Sequence, residues 1–156
     1  MKIIQPTVTN KKQVLTLLDE FRNLAYKLDG INNNLNSCSA RENWGEVYDY
    51  VMNADNHAMF VAIDSWIVVW IIIVHILPKV RSWAFFAEIE TMYTKEAYRW
   101  TGLWKQLLDK SIEYLKNCDK NIQSIRLCSG AKLSRAHAFY EKYWFNHFGK
   151  AYQMWI

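Results

Sequence analysis

The 156-residue chain reads as an α/β domain of the α+β kind. The predicted architecture is a mixed sheet of about six strands in the order β-α-α-β-β-β-α-β-α-β, with helices on both faces. Three patterns predict it. Apolar residues recur at helical spacing through Val14, Leu15, Leu17, Leu18, Phe21, Leu24, Ala25 and Leu28. The eleven-residue run Ile67 to Leu77 is rich in Ile and Val, too short for the ~20 residues that span a bilayer, and suits a buried strand. Around that run, strand-like segments alternate with turn residues, and beyond it helical and strand patterns take turns.

In chain order, Lys2 to Gln5 is a short strand broken by Pro6. Thr9-Asn10 offers a helix N-cap and Asp29-Gly30 a stop. Ile31 to Ser39 holds four Asn and reads as a loop, followed by a shorter helix over Glu42 to Asn53. Met59 to Ile63, Ile67 to Leu77 and Ala84 to Tyr93 are strands, joined by turns at Asp64-Ser65 and Pro78 to Ser82. The two-residue period puts Glu88, Glu90 and Met92 on one face of the third. Leu103, Leu107, Leu108, Ile112 and Leu115 mark a helix, Ser124 to Cys128 a strand, Leu133 to Tyr143 a helix, and Asn146 to Ile156 a closing strand.

Composition narrows the function. A net charge of +4 helps draw in an anionic ligand, but the Lys/Arg stripe of a nucleic-acid binder is missing. No apolar h-region opens the chain. Cys38, Cys118 and Cys128 are odd in number and widely spaced, which fits a reduced, cytoplasmic chain without disulfide or metal, and Cys128 reads as a buried structural thiol. His57, His75, His137 and His147 lack metal-ligand spacing. Glycine is scarce, 5 where average usage of ~7% would give about 11, while tryptophan reaches 8.

Tyr98 to Lys105 reads as a phosphate-cradling loop that opens a helix: backbone N–H groups and the helix's positive end favour a pyrophosphate. An ordinary capped turn would look the same. A second segment, Ser134 to Phe145, separates the two. The element order and these two segments resemble the GNAT acetyltransferase superfamily, most strongly from Ala87 to Trp155. The superfamily's acyl-CoA loop reads Arg/Gln-x-x-Gly-x-Gly/Ala. Arg99 and Gly102 fit it, Trp104 stands in the last glycine slot, and Trp100 stands where a small residue is usual. The second segment is similar to Asn-x-x-Ala-x-x-Phe-Tyr-x-x-x-Gly-Phe, with Ser134 in the Asn place and Trp144 in the Gly place.

The resemblance implies one N-acetyltransferase domain over 1–156 that moves an acetyl group from acetyl-CoA to a primary amine by direct attack, without a metal. It implies that the main chain of Met92, Tyr93 and Thr94 pairs with the pantetheine arm. The backbone of Arg99, Trp100, Thr101, Gly102, Leu103, Trp104 and Lys105 would then bind the pyrophosphate. Ser134 would hydrogen-bond the cofactor, though it equally suits an N-cap. Glu88 and Glu90 are the general-base candidates and Tyr140 the general acid, against the plainer readings of half-exposed strand carboxylates and a packing aromatic. The acceptor is a small-molecule or peptide amine, bound by the part between 11 and 56; nucleic acid and membrane are not expected partners, and a homodimer stays open. The alternative is a degenerate GNAT-fold binding module, its cofactor binding impaired by Trp100 and Trp104.

Trp66, Trp70, Trp83, Trp100, Trp104 and Trp144 all fall at glycine-like positions, six of the eight tryptophans. Six more glycines would raise five to eleven, the average expectation. A gene that means glycine at UGA, one base from GGA, would give this pattern when translated with UGA as tryptophan; a chain that packs large aromatics at its turns, naturally or by engineering, would give it too.

Overall fold

The computed structural model describes residues 1–29, 44–99 and 101–149. Five strands form one sheet in the order β1-β2-β3-β4-β5: Lys2–Ile4, His57–Asp64, Ile67–Lys79, Ala84–Thr94 and Ile122–Leu127. The first three pairings are antiparallel and β4–β5 is parallel. The helices are α1 (Lys11–Asp29), α2 (Trp44–Asn53), α3 (Leu103–Asn117) and α4 (Ser134–Lys142). The mixed sheet, its element order and the helices on both faces are as expected, but the described strands number five rather than six. Residues 146–149 are not strand, and the rest of the expected closing strand lies outside the described residues.

β3 explains the apolar run. From Val68 to Val74 every residue is buried, because helices cover both faces and neither side of the pleat meets water. Val14 and Leu17 of α1 and Tyr48 of α2 pack on Met59, Val61, Val68, Ile71 and Ile73. On the opposite face, Leu103, Leu107, Leu108 and Leu115 of α3 pack on Phe60, Ile72, Val74, Ile89 and Met92. The leucines are spaced by four, one and seven residues, which turns one stripe of α3 to the sheet.

Local ends differ by a few residues from the sequence reading. A 3₁₀ turn at Val8–Asn10 precedes α1, and the Asn10 side chain accepts from the Thr7 N–H at 2.9 Å. Ser134 is the first residue of α4 with Leu133 at the cap, which removes the N-cap reading of Ser134. Cys128 is exposed just past β5, not buried.

Two irregularities shape the sheet. The β2–β3 register shifts so that Val69 is extra, and the β3–β4 register shifts so that Glu90 is extra. A β-bulge of this kind bends its strand and re-aims a side chain. It also breaks the two-residue alternation along β4. Met92 therefore lies in the core under α3, while Glu88 lies between two residues of that core, Ala87 and Ile89, and points to the other face. The single-face expectation for Glu88, Glu90 and Met92 is thereby corrected.

Candidate active site

Strands β4 and β5 stay paired only as far as Ile89 with Leu127. Beyond that point the last five residues of β4, Glu90 to Thr94, have β3 on one side and a gap on the other. The Lys95 N–H donates to the Val69 carbonyl at 3.0 Å. By antiparallel alternation, Met92 and Thr94 turn their main-chain groups toward the gap.

The loop after β4 leads into α3 across the gap's open end. A 3₁₀ turn over Glu96–Tyr98 is pinned by Tyr98, whose hydroxyl donates to the Asp64 carboxylate at 3.1 Å. Arg99 is extended, with its guanidinium 3.8 Å from Glu96. The Thr101 hydroxyl donates to the Tyr98 carbonyl at 2.8 Å. Gly102 caps α3 at φ 76°, and a Cβ built there would meet nothing within 4 Å, so the dihedral alone asks for glycine. Leu103 buries its side chain, and the unpaired N–H groups of the first turn, with their partial positive charge, face outward. Lys105 is exposed and bridges to Asp109 at 2.6 Å, four residues on. Trp100 lies outside the described residues.

Trp104 alters the gap. Its indole N–H donates to the Thr94 hydroxyl at the end of β4. Its ring stands edge-on to Phe139 of α4 at 5.2 Å and to Trp70 of β3 at 6.5 Å, and lies 6.5 Å from Tyr140. The indole thus runs from the end of β4 to α4 and fills the space between. Cavities of 380 and 570 Å³ occur elsewhere, and neither is lined by any of the loop residues or by Tyr140. As printed, the residues do not fit a pantetheine arm in this gap.

Tyr140 packs among Trp104, Phe139 and Phe145. Burial, which disfavours the phenolate, pushes its pKa up to about 12, so the hydroxyl stays protonated and can donate. Ser134 is exposed at the start of α4.

Glu88 occupies a polar cross-strand row that sequence reasoning missed. His75 of β3 is its direct partner on one side and Arg126 of β5 on the other, and His57 of β2 is the partner of His75. The two imidazoles stand 4.5 Å apart, and burial together with His75 depresses the pKa of His57. The Arg126 guanidinium lies over the rings of Phe86 at 4.5 Å and Phe148 at 4.9 Å. Only the strand register reveals this row, since His57 and Arg126 are 69 residues apart in sequence. Glu90 is exposed at the bulge, where its carboxylate accepts from the Thr91 hydroxyl. Among the described residues, no group of three or more His, Cys, Asp or Glu could hold a metal ion. No helix among them is long and apolar enough to cross a membrane.

A model of the acetyltransferase (GNAT) family matches residues 32–145. Searching curated proteins gave no match. Solved structures align over almost the whole chain. A transcriptional regulator from Bacillus halodurans C-125 superposes with TM-score 0.77 at 19% identity, covering 99% of each chain. A ribosomal-protein-alanine N-acetyltransferase from Brucella melitensis biovar Abortus 2308 gives 0.71 at 12% identity, covering 99% of this chain and 98% of the other. An aminoglycoside acetyltransferase from an uncultured soil metagenomic sample gives 0.73 at 15%, covering 99% and 94%. At these identities the likeness is one of fold.

Proposed function

The chain belongs to the acetyltransferase (GNAT) family, and from that premise we propose that it is an acetyl-CoA-dependent N-acetyltransferase acting on a primary amine by direct attack. The observation that carries the reading is the gap beyond Ile89, lined by the free main chain of Met92 and Thr94 and closed at its end by the N-terminus of α3 after Gly102. With glycine at 104 in place of the indole, the pantetheine arm would lie along Met92, Tyr93 and Thr94. The pyrophosphate meets the backbone from Arg99 to Lys105, Trp100 included, with Ser134 nearby. Each charge-assisted bond there contributes ~1.5–3 kcal/mol and the helix dipole ~0.3–1 kcal/mol.

Glu88 is the general base that takes the proton from the attacking amine, directly or through a water; Glu90 is the second candidate. The strand neighbours of Glu88 in register are His75 and Arg126. Tyr140 is the candidate that donates its proton to the departing thiolate; burial keeps its hydroxyl protonated while making it a weaker acid. The whole of 1–156 acts as one domain in the cytoplasm, metal-free, on a small-molecule or peptide amine and not on nucleic acid or a membrane; a homodimer is compatible with it. Acceptors of both kinds belong in the screen, since the solved neighbours include an aminoglycoside acetyltransferase and a ribosomal-protein-alanine N-acetyltransferase.

The position of the Trp104 indole favours a second reading for the chain as printed, a GNAT-fold binding module with impaired cofactor binding. Thiol release from acetyl-CoA in the presence of an amine panel tests the pair. The glycine form at 100 and 104 should turn over and the printed chain should not. Absence of turnover and of acetyl-CoA binding in both would overturn the acetyltransferase reading.

A further inference from the structure

Three tryptophans share a backbone conformation that bulky residues avoid. φ is 73° at Trp66 in the β2–β3 turn, 50° at Trp83 before β4, and 70° at Trp144 just after α4. Among the described residues the other positive-φ positions are Ser65, Gly102 and Gly149. Non-glycine residues occupy this region in only a few per cent of cases, chiefly as Asn and Asp, and a large side chain there is an outlier. Here three of the six described tryptophans occupy it.

No side-chain packing offsets the strain. Trp66, Trp83 and Trp144 are 90%, 91% and 90% exposed. An indole carries a large apolar surface that normally repays its position by burial. These three take the dihedral cost and leave that surface in water. A backbone without Cβ pays neither.

Two more tryptophans misfit from the inside. Trp70 is buried in β3 and its Nε1 has no hydrogen-bond partner, whereas a buried indole N–H usually finds one. Trp104 fills the gap that the rest of the site leaves open. Trp44 is the contrast: it sits half-buried at the start of α2, helical, with the Arg22 guanidinium 4.5 Å from its ring centroid.

We infer that the gene of this protein specifies glycine at 66, 70, 83, 104 and 144, through UGA codons in a genetic code that reads UGA as glycine, and specifies true tryptophan at 44. The misfit between the printed chain and acetyl-CoA then has a cause. Glycine at 104 removes the indole from between Thr94 and Phe139 and opens the gap. That consequence and the assignment at 104 rest on the acetyltransferase reading; the assignments at 66, 70, 83 and 144 do not.

The codons decide first. UGA at 66, 70, 83, 104 and 144 with UGG at 44 supports the inference, and UGG at 66, 83 or 144 overturns it. Mass spectrometry of the protein from its source should find glycine in the peptides across these positions, and tryptophan there overturns it equally. Stability supplies a readout free of function. At 66, 83 and 144, alanine removes the indole but keeps the Cβ that the dihedral excludes. Each Trp→Gly should therefore raise the folding equilibrium constant about three- to tenfold over the matching Trp→Ala. Should the printed chain fail to fold, the all-glycine chain should show glycine above alanine by the same factor at each site. Equal stability of glycine and alanine at all three overturns the dihedral basis. Failure of acetyl-CoA binding by Trp104→Gly, with UGA codons in place, counts against the acetyltransferase reading and leaves the glycine assignment standing.

Discussion

Glu88 lies between His75 and Arg126 in one cross-strand row, while Glu90 stands exposed at the bulge. In the chain carrying glycine at 100 and 104, Glu88→Gln should lower kcat by roughly 10²–10⁴, the usual span of general acid–base catalysis, and Glu90→Gln by far less. The reverse order, measured by steady-state thiol release, would move the base to Glu90. Tyr140→Phe should lower kcat roughly 10- to 100-fold with little change in KM, because the phenol acts on the leaving group and not on binding. His57 has a depressed pKa, from burial first and from His75 second, relative to the ordinary 6.5. The folded state therefore resists protonation more than the unfolded chain. Its contribution to stability is complete above pH 6.5 and is lost as pH falls through the folded pKa. Urea titrations from pH 7.5 to 5 should show that loss, and His57→Gln should flatten it. The candidate residues came from a family resemblance carried by two sequence segments, and the row His57–His75–Glu88–Arg126 was not legible at all. It exists only because β2, β3, β4 and β5 align these positions, and no local spacing encodes that register.

The elements near the site follow from simple local rules, apart from the bulge. β3 declared itself by length and β-branched content, and α3 by its leucine stripe. Leu107 is fully buried in that stripe, and Leu107→Ala should cost about 2–5 kcal/mol in chemical denaturation. Gly102 starts α3 at φ 76° with open space around its missing Cβ. Gly102→Ala should then cost about 1–2 kcal/mol from the dihedral alone, with no steric surplus. A much smaller loss would mean that the turn relaxes and that the loop is not held in this conformation. The bulge at Glu90 escaped the sequence because one extra residue leaves the composition of a strand unchanged while it inverts the facing of everything beyond it. That inversion is what buries Met92 under α3 and leaves Glu88 on the opposite face. The described strands number five rather than six: 146–149, which include Gly149 at φ 144°, are not strand, and 150–156 lie outside the described residues.

At the scale of the whole molecule, the parallel step from β4 through α3 to β5 creates a gap where the two strands part, with a helix N-terminus at its end. Every part of that arrangement is backbone, so it tolerates wide sequence change, which accords with TM-scores of 0.71 to 0.77 at 12% to 19% identity. The side chains at a few small-residue positions decide whether the gap is usable. In the printed chain one indole, hydrogen-bonded to Thr94 and packed on Phe139, occupies it. Calorimetric titration of acetyl-CoA into the printed chain, into Trp104→Gly and into the chain with glycine at both 100 and 104 measures this directly. The double-glycine chain should bind at least ~100-fold more tightly than the printed one, a difference of about 2.8 kcal/mol, with most of the gain already present in Trp104→Gly. Equally tight binding by all three would contradict a gap blocked by Trp104, and no binding by any of them would contradict an acetyl-CoA site.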